Sequence, residues 1–412
     1  MSYKKILVLF SSQTVAQIIP FLIAPLISRI YGPEMFGTLA ILMALTELIG
    51  GVSTLRMEMA IPITTSYREA LVVTKVCFTF TIIFCLIAFI VLSGLKFFDF
   101  LPAISNYIIF IAPFSALILG FGISLNYFNL KNEEYNRIAI ANISRSTSQG
   151  SFQLFFGYVG GVQFGLILAY LFSGIIYDIR LIKKYLTDVR SSSRIDVDEM
   201  KRVIVLYKHF PLFSFWSALL NSMSRNSIIF FLNHLFLKSH VGYYSFALKY
   251  INAPLLIIGN SIANVFFEEI SKENKNIKQI KILFIKNLKL LLLGSILIFV
   301  PVYIYSEMFF PWFFGERWMI SGTVVKLMVP LLALRFISNP LSFILLSLRK
   351  HKLELILQNI FLIWNVLLWT SIFFFRLNFL ESIELLSLGL GIYYFLNIIV
   401  LLRIILNLEI NN

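Results

Sequence analysis

Apolar runs of about 20 residues recur from one end of this 412-residue chain to the other. A run of that length crosses a bilayer as a helix, because lipid offers no partner to unpaired backbone donors and acceptors. Twelve runs can be drawn: Ile6–Ile30, Phe36–Ala60, Ala70–Leu95, Ile104–Leu130, Ile138–Tyr158, Gln163–Tyr185, Tyr207–Leu237, Val241–Phe267, Ile282–Tyr305, Ser321–Leu348, Leu353–Phe375 and Ile383–Leu406. The chain is 58% hydrophobic and only 14% charged. A soluble domain carries roughly 45–50% apolar and about 25% charged residues. The predicted fold class is therefore an all-α polytopic membrane protein of about 12 transmembrane helices.

The formal net charge of +14 would suggest nucleic acid in a soluble protein. Here no basic soluble domain exists to hold it, and the distribution of the charges explains them. With the N-terminus inside, 24 Lys and Arg fall on the inner side and 5 on the outer, the bias expected when positive loops stay in the cytoplasm. Both termini are then cytoplasmic, and the expected location is the cytoplasmic (inner) membrane. The first apolar stretch is too long for a cleavable signal and reads as a retained helix. Cys77 and Cys85 share one apolar segment, which suits neither a disulfide framework nor a metal site.

Between the sixth and seventh runs, residues 186–206 form a polar cytoplasmic linker. Asp196, Asp198 and Glu199 precede the amphipathic stretch MKRVIVLYKHF, which is predicted to lie at the inner interface. Asp196-Val197-Asp198 matches the acidic D-x-D of sugar-nucleotide enzymes, but no nucleotide-binding fold surrounds it, so helix capping is the expected role. Lys272 to Lys289 is basic and amphipathic. Topology accounts for it, and contact with anionic lipid head groups is compatible with it.

The halves echo each other. Phe36-Gly37-Thr38 opens a long helix after a turn, and so does Val241-Gly242-Tyr243, 205 residues on. Pro113 and Pro330, and Asn142 and Asn359, are each 217 apart. Six helices per half put the halves in the membrane with the same orientation, and such parallel repeats commonly hold the substrate site between them. The expected domains are an N-terminal lobe at 1–185, the linker at 186–206 and a C-terminal lobe at 207–412.

Eight charges fall inside the predicted helices: Glu47, Arg56, Glu58, Arg145, Arg225, Lys249, Lys326 and Arg335. Six cations facing lipid would cost roughly 15–20 kcal/mol on insertion scales, so they should face a hydrated interior or pair with acids. Lys326 and Arg56 are near helix ends, where snorkelling suffices. Polar neighbours mark faces: Asn142, Arg145, Gln149 and Gln153; Ser214, Ser217, Asn221, Ser224 and Arg225; Ser245, Lys249, Asn252, Asn260 and Asn264; Gln13 and Gln17; Glu47, Gly51, Thr54 and Glu58. Such stripes serve helix packing or a water-filled path. Six cations against two acids point to an anionic ligand, and Arg suits phosphate. The expected substrate-binding cations are Arg145, Arg225, Arg335, Lys249 and Arg56, with Gln149, Asn221 and Asn252 as cavity polar groups. Glu47, read as the one deep acid, admits two roles: ion coupling or neutralisation of a neighbouring Arg. No P-loop or metal-ligand spacing is present, the four His are scattered, and no cofactor or enzymatic activity is expected.

Ser28-Arg29-Ile30-Tyr31-Gly32-Pro33-Glu34-Met35-Phe36-Gly37, followed by Ser53-Thr54-Leu55-Arg56-Met57-Glu58-Met59-Ala60, resembles the polysaccharide-transporter branch of the MOP superfamily, the O-antigen (Wzx-type) translocases. Val241-Gly242-Tyr243-Tyr244-Ser245, Phe266-Phe267-Glu268 and Phe313-Phe314-Gly315-Glu316-Arg317-Trp318 extend the resemblance over essentially the whole chain. It implies two six-helix lobes around a V-shaped cavity and a flippase for undecaprenyl-pyrophosphate-linked sugar units. Its partners would be the lipid-linked oligosaccharide, membrane lipids and other polysaccharide assembly proteins. The motifs mark membership and assign no substrate residue. An ion-coupled small-molecule or multidrug exporter, a membrane polysaccharide polymerase and a scaffold of the glycan machinery remain as alternatives.

Overall fold

The computed structural model describes residues 3–252, 255, 277–347 and 351–407, all of the regular structure among them helical. In chain order the helices are α1 Tyr3–Ile30, α2 Pro33–Gly50, α3 Tyr67–Phe97, α4 Asn106–Lys131, α5 Tyr135–Tyr158, α6 Val162–Ser191, α7 Val197–Leu206, α8 Phe215–Leu235, α9 at 238–252, α10 Ile277–Phe314, α11 Met319–Ser347, α12 His351–Phe375 and α13 Phe379–Asn407. Each of the twelve predicted runs has its helix, and the linker supplies α7. Among the described residues, 9 helices are long and apolar enough to cross a membrane, or 10 if the bent pair α7–α8 is one span. The chain is an all-α polytopic membrane protein.

Packing divides the chain into two compact units, Met1–Gly242 and Tyr243–Asn412. The first therefore includes α8, which the sequence repeat assigns to the second lobe; one division follows internal symmetry and the other follows contact. In the first unit α5 packs between α1 and α6, and α4 packs against α2, α3 and α6. Small residues permit the close α1–α5 approach: a Cβ on Gly150 would strike Ile23, and one on Gly157 would strike Ile30. The faces left exposed are apolar, as on α3 at Ile83, Leu86, Ile87 and Ile90, which is what lipid demands. A buried cluster including Met57, Ile61, Val72, Leu125, Phe128 and Leu181 closes one end of the unit.

The linker is held to this end by specific bonds. Asp196 caps α7 and forms a reciprocal capping box with Glu199, which is the capping role expected for the D-x-D. Arg68 of α3 donates to the carbonyls of Ser193 (2.6 Å) and Arg194 (3.0 Å) and pairs with Glu199 at 2.8 Å. Tyr207 donates to Glu69 at 3.0 Å. At ten residues α7 is too short to cross a bilayer. Its axis breaks by 59° across residues 207–209 into the next helix, which opens with a π-helical turn over Phe210–Ser214 that contains Pro211.

In the second unit α11 packs on α10 and α13. Gly315, at φ 101°, turns the chain so that Trp318 stacks on Phe246 with centroids 3.6 Å apart. Trp364 donates to the Gly389 carbonyl at 2.8 Å, and Tyr393 to that of Leu357 at 3.0 Å, joining α12 to α13. Of the polar residues expected on the eighth run, Asn260 and Asn264 lie outside the described residues, as do Phe266, Phe267 and Glu268.

Candidate functional site

The predicted helix Phe36–Ala60 ends ten residues early, at Gly50. Residues 51–56 turn, and Met57–Ile63 forms a 3-10 helix. Leu55 (φ 52°) and Arg56 (φ 63°) adopt the left-handed conformation. For side-chain-bearing residues this costs roughly 1–2 kcal/mol each, so tertiary bonds must hold it. Glu58 is fully buried, accepts from the Thr54 hydroxyl and pairs with Arg56 at 3.1 Å. Lys131 of α4 donates to the carbonyls of Pro62 (3.0 Å) and Thr64 (2.8 Å). Gly120 leaves room for Ser53, whose hydroxyl occupies the place of the missing side chain.

This break separates the stripe predicted on the second helix. Thr54 and Glu58 turn into the core, while Glu47 and Gly51 line a cavity of about 690 Å³. Arg56, Ser217, Asn221, Ser222 and Arg225 line it too. The α8 helix is docked on α2 at this level. Ser222 donates to the Glu47 carbonyl (3.3 Å), and Asn226 reaches a Glu47 carboxylate oxygen at 3.5 Å. Glu47, Asn221 and Arg225 are exposed to the cavity. Among the described residues, neither Glu47 nor Arg225 is in an ion pair, whereas Arg56 is neutralised by Glu58.

Arg145 is placed elsewhere, in a cavity of about 170 Å³ between α4, α5 and α6. Its guanidinium sits 5.6 Å from the centroid of the Tyr177 ring, whose hydroxyl accepts from Asn126 at 2.6 Å. Asp178 lines the same cavity, with Arg145 as the charge that acts on it. One Asp178 carboxylate oxygen is buried with no hydrogen-bond partner among the described residues. A Cβ on Gly122 would sit 2.7 Å from that oxygen. Leu119 and Ile123 of α4 line both cavities and form the wall between them.

Asp178 corrects the reading of Glu47 as the one deep acid. In sequence it stands two residues before Arg180, near the inner end of the predicted run Gln163–Tyr185. The signal was there: Tyr170, Gly174, Tyr177 and Asp178 follow helical spacing. The α5 stripe also divides. Gln149 is half-buried and lines neither cavity, while Gln153 is buried and its carbonyl accepts from Tyr31 at 2.7 Å. Lys326 pairs with Glu307 at 2.6 Å, because α10 continues to Phe314 and carries Glu307 well past the predicted end at Tyr305.

The remaining expected residues belong to the second unit. Arg335 is exposed on α11, within electrostatic reach of the Tyr244 and Tyr394 hydroxyls. The Lys249 ammonium lies 5.3 Å from the Tyr250 ring centroid, and Asn252 is half-buried. Among the described residues no group of three or more His, Cys, Asp or Glu is arranged to hold a metal.

A family described as polysaccharide biosynthesis protein matches residues 26–322. The chain belongs to that family. No curated protein matches the sequence. For this polysaccharide biosynthesis family member, solved structures are similar in fold at low identity. A multidrug resistance MATE family transporter of the MOP superfamily, in an inward-facing conformation, has a TM-score of 0.71 at 14% identity, over 100% of this chain and 97% of that one. The lipid II flippase MurJ, in an inward closed conformation, has a TM-score of 0.72 at 14% identity, over 98% and 87%. A MOP superfamily transporter from Pyrococcus furiosus, described by the reverse polarity of its binding pocket, has 0.62 at 15% identity, over 98% and 96%. The fold is that of the MOP superfamily.

Proposed function

We propose that this protein is a flippase that carries undecaprenyl-pyrophosphate-linked oligosaccharide units across the cytoplasmic membrane for O-antigen or other surface polysaccharide synthesis. The observation that carries the reading is Arg225: a guanidinium exposed in a cavity of about 690 Å³, with no carboxylate paired to it among the described residues. Such a group in a low-dielectric protein is suited to bidentate capture of phosphate oxygens. Membership of a polysaccharide biosynthesis family supports the substrate class, and likeness to a lipid II flippase supports the mode.

The mechanism is alternating access. Arg225 receives the pyrophosphate in the first unit, where Arg56, paired with Glu58, lines the same cavity and Arg145 stands behind the wall of Leu119 and Ile123; Arg335 and Lys249 are the cations of the second unit. The polyprenyl tail stays in lipid throughout. Both termini are cytoplasmic, and other polysaccharide assembly proteins are the partners. Arg225→Glu is expected to abolish surface polysaccharide at unchanged protein level; normal polysaccharide in that variant refutes the assignment. Likeness to a multidrug MATE transporter favours a second reading, ion-coupled export of small molecules, to which Glu47 or Asp178 would contribute. A deletion strain that loses surface glycan and keeps its drug susceptibility separates the two.

A further inference from the structure

The cavity that holds Arg225 is dipolar. Arg56 is spent on Glu58, so among the described residues its lining presents one uncompensated cation, Arg225, and one uncompensated carboxylate, Glu47. A ligand that were only an anion would be repelled by Glu47. The carboxylate is also positioned: Asn226 reaches it at 3.5 Å, and Ser222 holds the carbonyl of the same residue at 3.3 Å. Both tethers come from α8, the helix that carries Arg225. Around them stand Ser214, Ser217 and Asn221, short side chains that can donate and accept, and Phe213, an aromatic ring.

An ionised carboxylate only accepts hydrogen bonds. Its complement is a group rich in O–H or N–H donors attached to an anion, which describes a sugar on a pyrophosphate. We infer that Glu47 is a sugar-recognition residue, accepting hydroxyl or amide donors of the sugar next to the pyrophosphate that Arg225 binds. This rests on the flippase reading and assigns Glu47 to ligand selection instead of ion coupling. A cavity-facing carboxylate covered by a ligand that lacks the donor loses its water without replacement, and hydrogen bonds to charged groups are worth about tenfold or more in affinity.

The test compares two probes on the purified full-length protein in nanodiscs: polyprenyl pyrophosphate, and the same lipid carrying one acetamido-hexose. The quantity read is the ratio of their affinities. Glu47→Gln keeps the side-chain volume and is expected to lower the preference for the sugar-bearing lipid by about tenfold. Glu47→Asp keeps the charge, shortens its reach and is expected to lower the preference as well. Arg225→Gln is expected to weaken both probes together and preserve the ratio. An unchanged ratio in both Glu47 variants, or an equal loss on both probes, overturns the inference. The flippase reading fails separately, if the wild-type protein binds neither probe or if Arg225→Gln binds both like the wild type.

Discussion

Gly37 and Gly242 should behave as one contact. They open α2 and α9 at positions that echo each other in sequence, and each occupies the place where the other helix comes closest. A Cβ on Gly37 would collide with the Lys238 carbonyl oxygen and lie 2.9 Å from its carbon and 3.0 Å from the Gly242 nitrogen. A Cβ on Gly242 would collide with the Pro33 carbonyl and lie 3.1 Å from the Gly37 nitrogen. These neighbours are backbone and cannot rotate away, so the helices must separate. Overpacking of this kind costs about 1–3 kcal/mol for each single Gly→Ala substitution. Once one methyl has pushed the helices apart, the second enters space already opened. The double variant should then fall short of the sum of the singles by about 1 kcal/mol or more, since residues in contact do not add. Thermal unfolding in detergent, followed by Trp fluorescence for the two singles and the double, measures this. Strict additivity, or singles as stable as the wild type, would refute the close approach.

Four other outcomes are expected. Arg145→Leu should destabilise the protein by removing the guanidinium from the Tyr177 ring and from the polar cavity it shares with Asn126 and Asp178, read as yield of monodisperse protein. Arg68→Met should raise the rate of proteolytic cleavage within residues 190–196 several-fold, because it removes the bonds to Ser193, Arg194 and Glu199. The same protection should depend on pH. Arg68 beside Glu199 holds its carboxyl below the usual carboxylate range, so the stabilisation is present above that range and lost as pH falls through the depressed value; limited proteolysis over a series of falling pH should show protection kept at the lower edge of the usual range and lost only below it. Trp318→Ala should cost about 3–5 kcal/mol by emptying the fully buried site stacked on Phe246, again visible in thermal unfolding.

Helix identity was legible because lipid imposes it: a long apolar run must be a helix, and among the described residues each such run holds one. The capping of α7 was legible because Asp196 and Glu199 are three apart before an amphipathic run, and capping is a local property. The end of α2 was not. Residues 52–63 mix apolar residues with Ser53, Thr54, Arg56 and Glu58, a pattern that reads equally well as a polar stripe on a continued helix. What stops it is tertiary: Gly50 against Ala116, Ser53 against Gly120, and a buried Glu58 that bonds Thr54 and Arg56. Periodicity likewise placed Arg145 and Gln153 on one stripe of α5, but it cannot say what faces each turn. Arg145 meets Tyr177 of α6, and Gln153 meets Tyr31 at the end of α1.

The sequence argument for an anionic ligand rested on cations outnumbering acids within the membrane, and the structure changes which cations count. Arg56 has Glu58, Lys326 has Glu307, and Arg145 has Asp178 close by. Two of those acids, Asp178 and Glu307, were not on the sequence tally at all. Where the pair is made, as at Arg56 and Lys326, the cation offers a ligand only what its partner leaves, and Arg145 stands in a separate small cavity. In the first unit Arg225 is then the cation whose charge faces a cavity with no acid paired to it among the described residues. That makes the position sharper. If a phosphate is bound in this unit, Arg225→Lys, which retains charge and loses the planar pair of donors, should already weaken it measurably, while Arg56→Lys, whose charge is committed to Glu58, should not.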